Sequence, residues 1–148
     1  MMRISTKGRY ALRIMLDLVR HEDGEPVSLR DIAERQNITQ KYMESIMSLL
    51  LREKLVVSVR GKSGGYRSAR PAAEYSVYEI LMAAEGSMSP VSCLANEPQG
   101  CELAARCETL PLWRGLDAVI RQYLQSITLA DLLTPNAENG MSLPCADC

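Results

Sequence analysis

The chain has 148 residues, with 17 Lys/Arg against 18 Asp/Glu for a formal net charge of −1. This length holds one core, not two large ones. No apolar run nears the roughly 18 residues of a spanning helix and no signal-like apolar stretch follows Met1, so a soluble, cytoplasmic protein without a membrane partner is expected.

The first periodic segment covers residues 7–21, where Ala11, Ile14, Met15 and Leu18 fall on one helical face. Glu22-Asp23-Gly24-Glu25-Pro26 breaks it. Ser28 ahead of Leu29-Arg30-Asp31 marks the start of a short helix to about Gln36, with Ile32 and Ala33 inside. Asn37-Ile38 makes a turn, and Thr39 caps a third helix running to about Lys54. Its apolar stripe is Met43, Ile46, Met47 and Leu50; its opposite face carries Gln40, Lys41, Glu44, Ser45 and Ser48. Two helices joined by so short a turn, the second with a polar hydrogen-bonding face, form the helix-turn-helix pattern.

Residues 55–60 are β-branched, Gly61-Lys62-Ser63-Gly64-Gly65 supplies a turn, and Tyr66-Arg67-Ser68 returns. A hairpin directly after a helix-turn-helix makes a wing, with Arg60, Lys62 and Arg67 near its tip to reach phosphates or a minor groove. The Gly-rich turn lacks the spacing of a nucleotide-binding loop and follows no βαβ unit. A fourth helix spans residues 76–85 and stops at Gly86.

Residues 87–109 read as a long connection without a periodic element. A long helix follows from Pro111 to about Ile127, with Trp113, Leu116, Ile120, Tyr123 and Ile127 at alternating spacings of three and four, widened by Leu112, Val119 and Leu124. So broad a stripe calls for a second packing partner, a second copy of the chain. Thr128 caps a last turn, and residues 134–148 read as a loose tail ending in Cys145-Ala146-Asp147-Cys148.

Charge divides along the same lines. Residues 1–70 hold 14 Lys/Arg against 8 Asp/Glu, a net of +6, and residues 71–148 hold 3 against 10, a net of −7. A basic half beside an acidic half fits a nucleic-acid-binding module joined to a sensing or assembly module.

Chemistry concentrates in the cysteines. Cys93, Cys101 and Cys107 lie within 15 residues of one connection, and thiolates are soft ligands for iron–sulfur clusters, zinc or Cu(I). Without an export signal, metal or redox chemistry is favoured over structural disulfides. A single histidine, His21, argues against a multi-His metal site or a His-based triad. The segment lacks C-x2-C pairs, which weakens zinc.

These residues together resemble the Rrf-two family of bacterial winged-helix regulators, and within it the IscR-like and NsrR-like iron–sulfur sensors. The resemblance rests on residues 2–12 (MRISTKGRYAL), Ile32-Ala33-Glu34-Arg35-Gln36, Tyr42-Met43-Glu44, the wing from Val59-Arg60-Gly61 to Gly64-Gly65-Tyr66, and the three cysteines. Leu112-Trp113 and Ile127-Thr128-Leu129 match the dimer-helix region, so the likeness spans about residues 2–133.

The resemblance implies a mainly α fold with a small β-hairpin wing: a DNA-binding domain over residues 1–86, a cluster-binding connection over 87–109, and a dimerisation helix with a short terminal helix over 110–133. It implies a homodimer, formed through the 111–127 helix, that reads a double-stranded operator, as a repressor rather than an enzyme. By match to the family's contact positions, Tyr42, Glu44 and Arg60 are expected to touch DNA, with Lys41 and Ser45 as neighbours; Thr39 at the cap of the third helix and Lys62, Gly64 and Tyr66 on the wing complete the candidate DNA-binding set. Glu accepts from a cytosine amino group, while Arg and Lys supply phosphate affinity. Cys93, Cys101 and Cys107 map onto the ligands of an iron–sulfur cluster, a 2Fe-2S cluster ahead of a 4Fe-4S one. The fourth ligand is open. IscR-like members place a histidine where this chain has Leu110, and NsrR-like members use an acid near the N-terminus where this chain has Arg9. Glu102, Glu108, Cys145, Cys148, His21, a partner-chain residue and an exogenous ligand are candidates. A cluster-free thiol or zinc sensor of the same fold, and a regulator controlled by a partner enzyme, are the alternatives.

Overall fold

The computed structural model describes residues 3–95 and 101–134. Helix α1 spans Thr6–His21 and buries Ala11, Ile14, Met15 and Leu18 completely, as the periodicity requires. Ser28 caps α2 (Leu29–Gln36) by accepting the Asp31 N–H at 3.1 Å. Asn37 ends the helix in the left-handed region at φ 53°, which Asn tolerates, and its N–H returns to the Ala33 and Glu34 carbonyls. Helix α3 (Gln40–Arg52) then starts at Thr39, whose hydroxyl accepts the Tyr42 N–H at 3.4 Å.

Strands β1 (Val56–Val59) and β2 (Gly65–Ser68) pair antiparallel, with Val56 opposite Ser68 and Val59 opposite Gly65. The outer edge of β2 is not left open. Val27 exchanges both backbone bonds with Tyr66, at 2.9 and 2.8 Å, and so adds a third rung to the wing. A Cβ on Gly65 would sit 2.7 Å from the Val27 carbonyl carbon, so this close approach requires glycine.

After a single turn at Ala72–Glu74 comes Tyr75, fully buried. Its hydroxyl donates to the Leu55 carbonyl at 2.6 Å and accepts the Ala69 and Arg70 N–H groups at 2.8 and 2.9 Å. One phenol thus ties both ends of the hairpin to the core. Helix α4 (Val77–Glu85) follows, then α5 (Ser92–Ala95), α6 (Leu110–Ser126) and α7 (Leu129–Leu133). Helix α7 begins with a reciprocal capping box between Thr128 and Asp131. The chain on either side of Thr128 is stitched to the start of α4 by Val77 N–H to Ile127 O at 2.9 Å and Leu129 N–H to Tyr75 O at 3.0 Å.

The main core joins α1, α2, α3, α4, β1 and Leu129, and a smaller cluster gathers Val77, Leu81, Met88 and Ile127 with Leu124 against it. The expected mainly helical fold with a hairpin wing is what forms. One local expectation changes. Residues 87–109 are not devoid of regular elements, since Cys93 lies in α5 and a single turn spans Ala104–Arg106. The broad stripe on α6 divides into two sides, as its width called for: Trp113, Asp117, Ile120 and Leu124 are half-buried, whereas Leu112, Leu116, Val119 and Tyr123 are 40–62% exposed. Ile127 falls just beyond the helix and is buried. The tail with Cys145 and Cys148 lies outside the described residues.

Candidate nucleic-acid interface and cysteine segment

Helix α3 turns its stripe of Met43, Ile46, Met47 and Leu50 inward, which leaves Gln40, Lys41, Glu44, Ser45 and Ser48 exposed on one continuous face. Thr39 is exposed at its cap. Glu44 accepts from the Gln40 amide at 3.3 Å, and Ser45 donates its proton to the Tyr42 carbonyl at 2.7 Å, so its hydroxyl offers lone pairs outward. Tyr42 is half-buried, and Tyr10 of α1 meets its ring edge-on, at 5.8 Å between centroids and 73° between planes. Arg13 covers the other ring at 5.0 Å and donates to the Gln36 carbonyl at 2.8 Å, tying α1 to the end of α2.

On the wing, Arg60 and Lys62 are exposed, whereas Gly64 and Tyr66 are half-buried. A Cβ on Gly64 would collide with the Val59 and Gly61 backbone, so its role in the hairpin is steric. Tyr66 packs against the core, and its backbone is engaged by Val27. Arg67, read as a wing-tip base, turns back instead to the Gly24 carbonyl. The freely presented cations of the wing are therefore Arg60 and Lys62.

Sequence reasoning missed the polar contact that ties α1 to α2. Asp17 is 4% exposed, and its carboxylate accepts from Arg35 Nε at 3.0 Å and Gln36 Nε2 at 2.8 Å, and from Arg35 Nη2 as well. Burial pushes the Asp17 pKa up, but the hydrogen bonds from Arg35 and Gln36, with the Arg35 and His21 charges, outweigh it and hold the carboxyl below its ordinary value. The one available signal was an acid lying beside Ile14 and Leu18 on an otherwise apolar face. Glu22 was missed as well: its carboxylate accepts the Ser68 N–H at 3.0 Å and hydroxyl at 2.7 Å, securing the wing to the end of α1.

The three cysteines Cys93, Cys101 and Cys107 are free thiols, with Cys101 exposed and the other two half-buried. The Cys107 sulfur lies 3.4 Å from the Thr109 hydroxyl oxygen. Hydrogen bonds from the Thr109 side chain and backbone hold its thiol below the ordinary cysteine value. Three soft donors suit an iron–sulfur cluster by their chemistry and would supply three protein ligands to one. Among the described residues no three His, Cys, Asp or Glu side chains gather into a metal-holding group, and Leu110, at the position a fourth ligand would take, is buried. Glu102, Glu108 and His21 are exposed; His21 Nδ1 lies 2.8 Å from the Asp17 carbonyl, at the end of α1. No helix among the described residues is long and apolar enough to cross a membrane.

Comparison with known proteins supplies the context for this geometry. Residues 4–135 match the Rrf2 (Rrf-two) family model, described as an iron-dependent transcriptional regulator. The HTH-type transcriptional regulator IscR of Serratia proteamaculans is 42% identical over 132 residues, covering 89% of this chain and 79% of that protein. Among solved structures, CymR, the global cysteine regulator of B. subtilis, superposes with a TM-score of 0.73 at 35% identity, covering 92% of this chain and 99% of that one. IscR of T. potens gives a TM-score of 0.70 at 35% identity, covering 95% and 93%. These relatives are transcriptional regulators, not enzymes. With a family model matched across most of its length and a helix-turn-helix followed by a wing, the chain belongs to the Rrf2 family of transcriptional regulators.

Proposed function

We propose that the protein is a homodimeric repressor that reads a double-stranded operator with α3 and its wing, and that an iron–sulfur cluster held by Cys93, Cys101 and Cys107 sets its affinity. The observation that carries this reading is the trio of free thiols within 15 residues, one of them disposed to ionise, in a family described as iron-dependent. On α3, Lys41, Tyr42, Glu44 and Ser45, led in by Thr39, lie along one edge for the major groove; Arg60 and Lys62, shaped by Gly64 and Tyr66, serve the adjacent minor groove. A second copy covers the exposed row Leu112, Leu116, Val119 and Tyr123, because a row this apolar is costly to leave in water. A bound cluster would supply a charged, redox-active centre whose gain or loss shifts the dimer between DNA-binding states. A 2Fe-2S cluster is the first expectation, with the fourth ligand drawn from Glu102, Glu108, the tail cysteines, the partner chain or an exogenous molecule.

Anaerobic purification with iron and sulfide analysis tests the reading, on the wild type and on each Cys→Ala variant including Cys145 and Cys148. The expected result is a brown protein with broad visible absorption that Cys101→Ala abolishes while the dimer persists. A colourless protein carrying stoichiometric zinc, or iron retained in Cys101→Ala, overturns it. A second reading has support of its own. The B. subtilis neighbour is named as a cysteine regulator, and a half-buried Cys107 whose thiol is held below the ordinary cysteine value suits thiol sensing without a cluster. It predicts a colourless protein whose operator affinity changes reversibly with a thiol oxidant.

A further inference from the structure

Helix α1 has no acidic residue in its first turn, and its cap is Ser5, whose hydroxyl accepts the Gly8 N–H at 3.3 Å. In a capping box the third helical residue is Glu or Gln, and its side chain reaches back to the N–H of the cap residue. Here the third helical residue is Gly8, with no side chain to reach. The carboxylate arrives instead from the last residue of α4, 80 positions along the chain. Glu85 Oε1 accepts the Ser5 N–H at 2.9 Å and the Ser5 hydroxyl at 2.7 Å. A Cβ on Gly8 would fall on that same oxygen and within 3.1 Å of the Glu85 carboxyl carbon. Gly8 therefore leaves open the place that an ordinary capping-box side chain would fill, and Glu85 fills it. Its negative charge also suits the positive end of the α1 dipole.

The two ends of this clasp lead to different parts of the molecule. On the α4 side, Gly86 turns the chain at φ 78° directly into the segment that reaches Cys93 in α5. Arg3, Glu85, Ser87 and Ser92 line one cavity there, so the N-terminal arm and the cysteine segment share a wall. On the α1 side, Tyr10 lies two residues past Gly8 and meets Tyr42 of α3 edge-on, while Arg13 holds the end of α2. The Glu85–Ser5 hydrogen bonds and the Tyr10–Tyr42 contact thus form one series of contacts from the segment after Gly86 to α3.

We infer that Glu85 is a positioning residue for DNA reading. It completes the α1 capping box from α4, and through it the state of the cysteine segment is transmitted to Tyr42 and α3. The inference rests on α3 reading DNA, but it does not require a bound cluster. Ser5 and Gly8 complete the device.

The test uses the full chain with Cys145→Ser and Cys148→Ser, so that iodoacetamide modifies only Cys93, Cys101 and Cys107. The DNA is a duplex selected by the unmodified protein from a random-sequence pool. Alkylation is expected to weaken binding by about 5- to 20-fold, the low end of ordinary coupling between sites. Glu85→Ala should weaken binding to a similar degree without alkylation, and further alkylation should add little. The decisive variant is Glu85→Ala with Gly8→Glu, which rebuilds a Ser-x-x-Glu capping box inside α1. It should recover the affinity yet no longer respond to alkylation. Amide exchange at residues 8–12 supplies a readout independent of DNA: it should accelerate in Glu85→Ala and slow again in the double variant. Should Glu85→Ala fold poorly, Glu85→Gln retains the acceptor oxygen without the charge and should lie between it and the wild type. Wild-type affinity in Glu85→Ala, or a double variant that responds to alkylation as the wild type does, overturns the inference. Failure of the wild type to select any DNA sequence instead counts against DNA reading by α3, and the exchange measurement still decides whether Glu85 caps α1.

Discussion

Arg35 of α2 grips the buried carboxylate of Asp17 of α1 with Nε and Nη2, tying the first helix to the helix-turn-helix while the arginine itself stays at the surface. The Asp17 pKa is depressed in the folded protein, so its stabilisation is fully present above the unfolded value of about 3.9 and is lost as pH falls through the lower folded value. Acid unfolding monitored by circular dichroism should show this contribution disappearing only below about pH 4. Asp17→Asn keeps the shape and one acceptor oxygen but removes the charge that Arg35 and Gln36 bind, and should cost about 1–3 kcal/mol in urea denaturation, whereas a surface carboxamide swap would cost little. It should also flatten the acid limb of the stability curve; an unchanged limb would assign that limb to other carboxylates.

Tyr75→Phe removes one hydroxyl that serves three backbone groups at the base of the wing. The Ala69 N–H retains the Leu55 carbonyl at 3.2 Å, but the Arg70 N–H loses its acceptor. A loss of about 1–3 kcal/mol is expected from leaving a sheltered donor unpaired. Hydrogen exchange of the β1 and β2 amides should rise more than that of α2, because the damage is local to the hairpin.

Arg60 is exposed beyond the end of β1 and makes no intramolecular ion pair among the described residues, so its charge is free for a phosphate. Arg60→Ala should weaken operator binding and lower the slope of log affinity against log salt by about 1. Arg67→Ala should act differently, since its guanidinium is turned back onto Gly24: wing stability falls, and the salt slope changes less. Equal salt slopes for the two variants would contradict this division of roles.

Val119 is 62% exposed at the middle of the apolar row on α6. Placing a carboxylate there sets two like charges near one another in a paired helix and desolvates both. Val119→Glu should give the monomer mass in sedimentation at concentrations where the wild type is dimeric, with the circular dichroism of each protomer preserved. A dimer that survives this substitution would place the interface on another surface.

Much of this architecture was legible locally. The spacing of Ala11, Ile14, Met15 and Leu18, the caps at Ser28, Thr39 and Thr128, and the β-branched run with its glycines each specify their elements through short-range sterics and hydrogen bonding. The split charge and the three cysteines likewise needed no coordinates. The four-residue helix at Cys93 escaped because so short a segment carries no measurable period. The width of the stripe on α6 already called for two partners, but periodicity does not say which residues face which; α4 takes the Leu124 side and leaves Leu112, Leu116, Val119 and Tyr123.

What the sequence determined by itself is therefore the set of elements and the chemistry available: a basic helix-turn-helix with a wing, an acidic half with three thiols, and an apolar helix. What only the tertiary structure decided is how polar groups far apart in the chain are paired. Asp17 with Arg35, Glu22 with Ser68, Tyr75 with Leu55 and Glu85 with Ser5 join positions 18 to 80 residues apart. No local pattern encodes such partners, because a buried donor or acceptor demands a mate without specifying where in the chain that mate must lie. The folded core chooses it, and with it the angles at which α1, α3 and the wing are held.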